Sequence, residues 1–328
     1  MPSLSAAVLA SQPKSVAPLA GDAPLDFEAL GKAFGGPACD DLNGRLAQRF
    51  SRTTAVRACA DRAAATADLL AAQGARPGGV CIVSALAGRE TLEGVAAAGL
   101  TPWLVDVDPF TWMVDTTHLR ERLAEAPCPL EAIVTTCAFG RAPDLLALAA
   151  FQAETGLPIV VDAAFGFDVI MDAPVPVVVG LPGGEGVFVA AEDAALIQRL
   201  TATAFECDDG LDGWSLKRQQ LATNAQRLRM LLLGSPVAFQ PGWGLSWVSS
   251  ACVVSVAEGC APAVAALLAV EGRFVTCVGV RDPEIQADTV PVVDHLAGKM
   301  LGLPFGADLD IADLDDLAEA VRRAVAQV

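Results

Sequence analysis

The strongest constraint in this sequence is an alternation that begins near Gly79. Short runs rich in Val and Ile end at Asp, Thr or Gly and are followed by longer segments rich in Ala and Leu. Strands inside a helix-covered parallel sheet need apolar residues on both faces, and the longer segments supply the crossovers, so the pattern predicts a βαβ architecture. Residues 80–83, 103–107, 132–135 and 157–161 are the expected buried strands. A helix over residues 142–155 is expected to bury Leu145, Leu146 and Ala149 and to stop at Gly156. Strands over 175–179 and 187–190 are expected to pair antiparallel across the glycine-rich segment 180–186. That segment lacks the G-x-G-x-x-G spacing and leads into a strand, so it reads as a turn and not as a dinucleotide fingerprint.

The pattern changes after residues 208–210, which predicts three regions. Residues 1–24, rich in Ala, Ser and Pro, are expected to form a loosely ordered arm, residues 25–214 a large α/β domain, and residues 215–328 a smaller C-terminal α+β domain. The last region should hold helices over 215–233 and 261–270, strands over 252–256 and 274–278, and two closing helices. The final helix has Asp310, Asp313, Asp315 and Asp316 in its first turns and Arg322 and Arg323 later, with Ile311, Leu314, Leu317 and Val321 as its apolar stripe.

Composition narrows the partners. The formal net charge of −17 repels nucleic-acid backbones and anionic membrane surfaces. Mean hydropathy is +0.46, yet no apolar run approaches the roughly 18 residues that a membrane span needs. Nine cysteines stand singly, without C-x-x-C pairs or clustered histidines, so no zinc site or tight disulfide framework is expected. The first residues lack a basic segment ahead of their short apolar run, and the expected location is the cytoplasm.

Few residues are candidates for chemistry. Asp162 follows a buried strand at the edge where open α/β sheets place ligands, and it reads either as a functional carboxylate or as a cap. Asp106 and Asp108 could form a metal pair or, beside Pro109, a turn, and no metal site is expected. His118 and His295, the only histidines, fall in expected helices far apart in sequence and read as structural. The chain has no Tyr, and its lysines are Lys14, Lys32, Lys217 and Lys299. Cys137 and Cys207 are weaker nucleophile candidates with no visible base.

Four segments in order, residues 98–109, 156–164, 183–190 and 290–304, resemble the DegT/DnrJ/StrS family over about residues 25–325. That resemblance implies a fold-type-I, pyridoxal-phosphate (PLP) transferase fold, with a mostly parallel seven-stranded sheet in the large domain and a small C-terminal domain. It implies sugar aminotransferase chemistry in a homodimer, with active sites at the interface. Asp162 would pair with the pyridinium nitrogen of PLP. The family's Schiff-base lysine should lie between Asp162 and the 183–186 turn, but residues 163–181 contain neither Lys nor His. The family's phosphate-cradling loop at a helix start corresponds to residues 58–64, where Asp61 would repel a phosphate and Arg62 would offset it. The aromatic residue expected after Ser84 is absent, and Phe165 and Phe167 replace the polar residues expected after the Asp-Ala-Ala motif. Asp162, Ser84 and Arg62 are thus the expected remnants of a cofactor pocket, with no catalytic residue assigned. The sequence predicts no cofactor, PLP being admitted only noncovalently. It predicts a noncatalytic binder of a nucleotide-sugar or similar metabolite, as a homodimer or with an active paralogue. The alternative is a PLP- or aminated-PLP-dependent sugar aminotransferase whose amine comes from Lys217.

Overall fold

The computed structural model describes residues 41–127, 129–182, 185–205, 211, 213–273, 275–277 and 290–328. The expected arm over residues 1–24 and Cys207 lie outside the described residues. In chain order the elements are α1 (Leu42–Ala47), β1 (Ala55–Cys59), α2 (Arg62–Ala72), β2 (Val80–Ser84), α3 (Arg89–Ala97), β3 (Thr101–Val105), α4 (Thr116–Leu123), β4 (Leu130–Thr136), α5 (Leu145–Thr155), β5 (Ile159–Ala163), β6 (Val177–Gly180) and β7 (Val187–Ala191). There follow α6 (Ala194–Gln198), α7 (Trp214–Leu231), β8 (Ala238–Phe239), β9 (Cys252–Ser255), α8 (Ala261–Val270), β10 (Thr276–Cys277), α9 (Pro291–Ala297), β11 (Met300–Leu303) and α10 (Ile311–Ala326).

Among the described residues the first sheet has seven strands in the order β1-β7-β6-β5-β4-β2-β3. The pairs from β3 through β6 are parallel, while β7 pairs antiparallel with both β6 and β1. Strand β1 therefore points the same way as β2 to β6, and its carboxyl end lies at the edge where β5 ends. The expected antiparallel pairing of the two later strands is present, with Val178 opposite Val189. Val160, Val161, Val178 and Val189 are fully buried, as the apolar runs require.

The second sheet is antiparallel, in the order β10-β11-β9-β8. Its core joins Leu228, Trp243, Val254, Leu301, Leu317 and Val321. Val290, Val293, Leu296 and Met300 belong instead to the core of the first sheet, so the chain returns to the large sheet after residue 215.

Three local expectations are corrected. In α5 the fully covered residues are Leu148 and Phe151, whereas Leu146 is exposed. The helix begins at Leu145, capped by Asp144, and of the expected stripe Leu145 and Ala149 pack partly buried against the core. In α10 the stripe holds at Leu314, Leu317 and Val321, but Ile311 is exposed in the first turn, where the capping box of Asp310 and Asp313 faces solvent. Strand β11, between the closing helices, carries no period-two signal in the sequence. Gly156 terminates α5 in the left-handed conformation as expected.

Candidate functional site

Asp162 is the fourth residue of β5, one step inside the strand and not beyond it. Strand pairing sets it between Thr136 of β4 and Val178 of β6, at the carboxyl edge of the parallel region. Its carboxylate accepts from the hydroxyl of Thr91 and from the backbone N–H of Ala164 at 3.2 Å. Arg62 completes the set, its Nη1 lying 3.7 Å from Asp162 Oδ1. Burial pushes the carboxyl of Asp162 above the usual aspartate range, while Arg62, Thr91 and the Ala164 N–H each hold it back.

Helix packing makes this meeting possible. Helix α2 starts just after β1 and therefore at the same sheet edge as Asp162. Gly94 of α3 packs against α2 so closely that a Cβ there would lie 2.7 Å from the carbonyl oxygen of Ala63. This close approach brings Glu90 and Thr91, in the first turn of α3, beside Arg62 and Asp162. Glu90 pairs with Arg62 from the exposed side, its own side chain being 56% exposed against 20% for Arg62.

The cleft next to this cluster measures about 590 Å³, and Asp61, Arg62, Glu90, Phe165, Glu185 and Phe205 are among its walls. Three acidic residues and one arginine are thus among its walls, and of the three Glu90 pairs with the arginine. Asp61 is already engaged as the cap of α2, where its carboxylate accepts from the N–H of Ala64 at 2.6 Å.

The other sequence candidates fall elsewhere. Ser84 is fully buried, accepts from the N–H of Leu86 at 3.3 Å and does not line the cleft. Asp106 accepts from the N–H groups of Val292 and Val293 at 2.7 and 3.0 Å, capping the start of α9. Asp108 accepts from Phe110 and Thr111 in a turn. These two carboxylates therefore serve different elements, and no metal-binding group occurs among the described residues.

Cys137 donates its backbone N–H to the carbonyl of Asp162 at 2.8 Å, but burial pushes its thiol far up and keeps it neutral. Lys217 is exposed on α7 and does not line this cleft. His118 lies on α4 and His295 on α9, where His295 contacts Glu258 and Lys299. Sequence reasoning missed Thr91 and Glu90. Both sit in a polar helix start, with partners 71 residues away for Thr91 and 28 for Glu90, and no local spacing signals such contacts.

Residues 28–172 match the family model described as the DegT/DnrJ/EryC1/StrS aminotransferase family. The resemblance to this family is thereby shown, with segments 98–109 and 156–164 inside the matched residues. One similar protein is a UDP-2-acetamido-2-deoxy-3-oxo-D-glucuronate aminotransferase of Pseudomonas aeruginosa, 30% identical over 132 residues, or 40% of this chain and 36% of that protein. A second is a pleiotropic regulatory protein of Geobacillus stearothermophilus, 30% identical over 115 residues, or 35% and 30% of the two chains. The matched segments thus span about a third of these relatives. In structure, the chain is similar to a DegT/DnrJ/EryC1/StrS aminotransferase from Brucella abortus, with TM-score 0.72 and 20% identity over 91% of this chain and 94% of that one. It is also similar to DesV of S. venezuelae, solved with a ketimine intermediate, with TM-score 0.71 and 17% identity over 92% and 94%. The fold is that of the fold-type-I aminotransferases.

The expectation of no cofactor is corrected by these findings. Solved structures of this fold include a protein from Bacillus cereus named as a PLP-dependent aminotransferase and one of Streptococcus pneumoniae named as a sugar aminotransferase in its PMP form, so a pyridoxal-type cofactor is expected with this fold. The residues present fit the ring end of such a group, because Asp162 offers a buried carboxylate at the strand end. They do not fit its phosphate end, because the carboxylate of Asp61 already accepts from the first turn of α2. Among the described residues no helix is long and apolar enough to cross a membrane.

Proposed function

We propose that this aminotransferase-fold chain binds a sugar metabolite, of the nucleotide-linked class, in the cleft beside Asp162 without catalysing amino transfer. The observation that carries this reading is the segment from Ala163 to Leu181, which holds no lysine and runs through the buried strand Val177–Gly180. A pyridoxal-type cofactor supplies an electron sink for amino-group chemistry, and Asp162 is the residue that would hold the proton of its ring nitrogen. The chain then needs an amine to attach the group and move protons. Of the described lysines, Lys217 is exposed away from the cleft and Lys299 contacts His295 at 2.6 Å.

The walls suit the sugar portion of such a ligand. The carboxylates of Glu90 and Glu185 accept from hydroxyl or amino groups, and the half-exposed ring of Phe165 offers an apolar face. The name of the Pseudomonas relative supports a UDP-linked sugar, and that of the Geobacillus relative supports a role outside catalysis. We place the protein in the cytoplasm as a homodimer. Phe110, Leu146 and Phe165, all exposed beside the carboxyl ends of β3, β4 and β5, are apolar surface that a second copy would cover.

The test supplies PLP, glutamate and a UDP-linked 3-keto sugar to the purified protein, and titrates UDP-N-acetylglucosamine by calorimetry. Binding of the sugar with no 2-oxoglutarate formed is the expected result. Stoichiometric 2-oxoglutarate would overturn the noncatalytic reading, and absence of any binding heat would overturn the ligand.

A further inference from the structure

We propose that Arg62 is the residue that determines which cations the cleft admits, because it serves as the chain's own counter-ion to Asp162 and competes with a cationic ring nitrogen for that carboxylate. The proposal goes beyond the noncatalytic reading and does not depend on it.

Three observations support it. The carboxylate of Asp162 accepts from Thr91 and the Ala164 N–H and is itself buried behind the cleft wall, of which Arg62 and Ala164 are part, so Arg62 stands between the cleft and this carboxylate. At 3.7 Å the Arg62 contact is an ion pair without a hydrogen bond, and Oδ1, which already accepts from the Ala164 N–H, keeps one further acceptor position for a partner that comes closer than Arg62. Arg62 is also held from its other side by Glu90, and its Nε is buried with no hydrogen-bond partner. The guanidinium is thus suspended between two carboxylates, and Glu90 can retain it when it leaves Asp162.

A ring nitrogen carrying a proton would sit within a few ångströms of this guanidinium. Two like charges at such a distance in a water-poor site repel, and the cation brought from outside is the one whose affinity records the repulsion. Removing Arg62 should therefore tighten the binding of a pyridinium ligand. The opposite role, in which Arg62 holds the phosphate and offsets Asp61, predicts the opposite sign.

Equilibrium dialysis of PLP against the full-length chain distinguishes the two. The expected result is affinity at least about tenfold tighter in Arg62→Met than in the native chain, one pK unit of interaction being a factor of ten. Arg62→Lys, which retains the charge, should stay near the native value. Weaker or unchanged binding in Arg62→Met, including no measurable binding by either protein, would overturn the proposal. A second readout guards against a loss of folding. The melting temperature lost on Arg62→Met should be reduced by at least half when Asp162 is already Asn, and equal losses in both backgrounds would also overturn it.

Discussion

Two covered carboxylates on the same sheet, each facing an arginine, are driven in opposite directions. Glu131 lies at the amino end of β4 and Asp162 at the carboxyl end of β5. Arg76 reaches Glu131 from solvent with its Nη2 at 2.7 Å and its Nε at 3.1 Å, and the N–H of Arg76 adds a third donor at 3.2 Å. These hydrogen bonds hold the carboxyl of Glu131 below the usual glutamate range. At Asp162 burial outweighs a guanidinium that stands farther off and is shared with Glu90, so its carboxyl is pushed up. The first pair is a surface clamp on the sheet. The second is a charge kept in a closed place at the edge where ligands enter, which is costly for stability alone and typical of a site.

The largest expected effect contrasts two glycines at these ends. A Cβ on Gly180, beside the cleft, would lie 2.2 Å from the carbonyl oxygen of Ala164, and backbone cannot swing aside. A Cβ on Gly79 would lie 2.2 Å from Cγ of Glu131, a side chain that can give way by loosening its hold on Arg76. Gly180→Ala should cost about 3 kcal/mol in urea denaturation and Gly79→Ala no more than about 1 kcal/mol. Equal costs would mean that the two ends are equally rigid. Between these two falls Asp162→Asn, expected to cost about 1 to 2 kcal/mol at pH 7 because one of the two oxygens that accept from Thr91 and Ala164 becomes an NH2 donor. Arg76→Met should have the smallest effect, one that disappears in high salt, because Arg76 is 79% exposed.

Acidification should separate the pairs further. The folded-state value of Glu131 is depressed, so its stabilisation is present above the ordinary glutamate value and is lost as pH falls through the folded value. That of Asp162 is raised, so the fold gains stability as pH falls from the folded value to the ordinary aspartate value, and this gain is lost as pH rises again. Asp162→Asn removes the gain. Its deficit against the native chain should therefore widen on acidification through that window, while the deficit of Arg76→Met should shrink. Melting curves across the acid range read both trends.

The contrast also marks what the sequence reveals. The strands of the parallel sheet were legible because runs such as Ile159–Ala163 are apolar on both faces. Asp162 was legible because it ends such a run, and Gly156 because a helix stop calls for it. The pairing of Arg62 with Asp162 was not. It depends on α2 starting at the sheet edge where β5 ends, which joins residues a hundred positions apart that no periodicity encodes. Asp106 was legible as a polar residue after a strand, but its partners, the N–H groups of Val292 and Val293, belong to a helix 186 residues away or more. Where the stripe of a helix was read from residue type alone, Leu146 and Ile311 were placed on it, yet each faces solvent in the first turn of its helix.

The most direct measurement is a carboxyl-carbon NMR titration of Asp162 and Glu131 in the native chain, Arg62→Met and Arg76→Met. Asp162 should titrate above the ordinary aspartate value in the native chain and move higher in Arg62→Met, while Glu131 should titrate below the ordinary glutamate value and rise only in Arg76→Met. An Asp162 that titrates at or below the ordinary value, or does not move when Arg62 is removed, would contradict a buried site carboxylate held by the chain's own guanidinium.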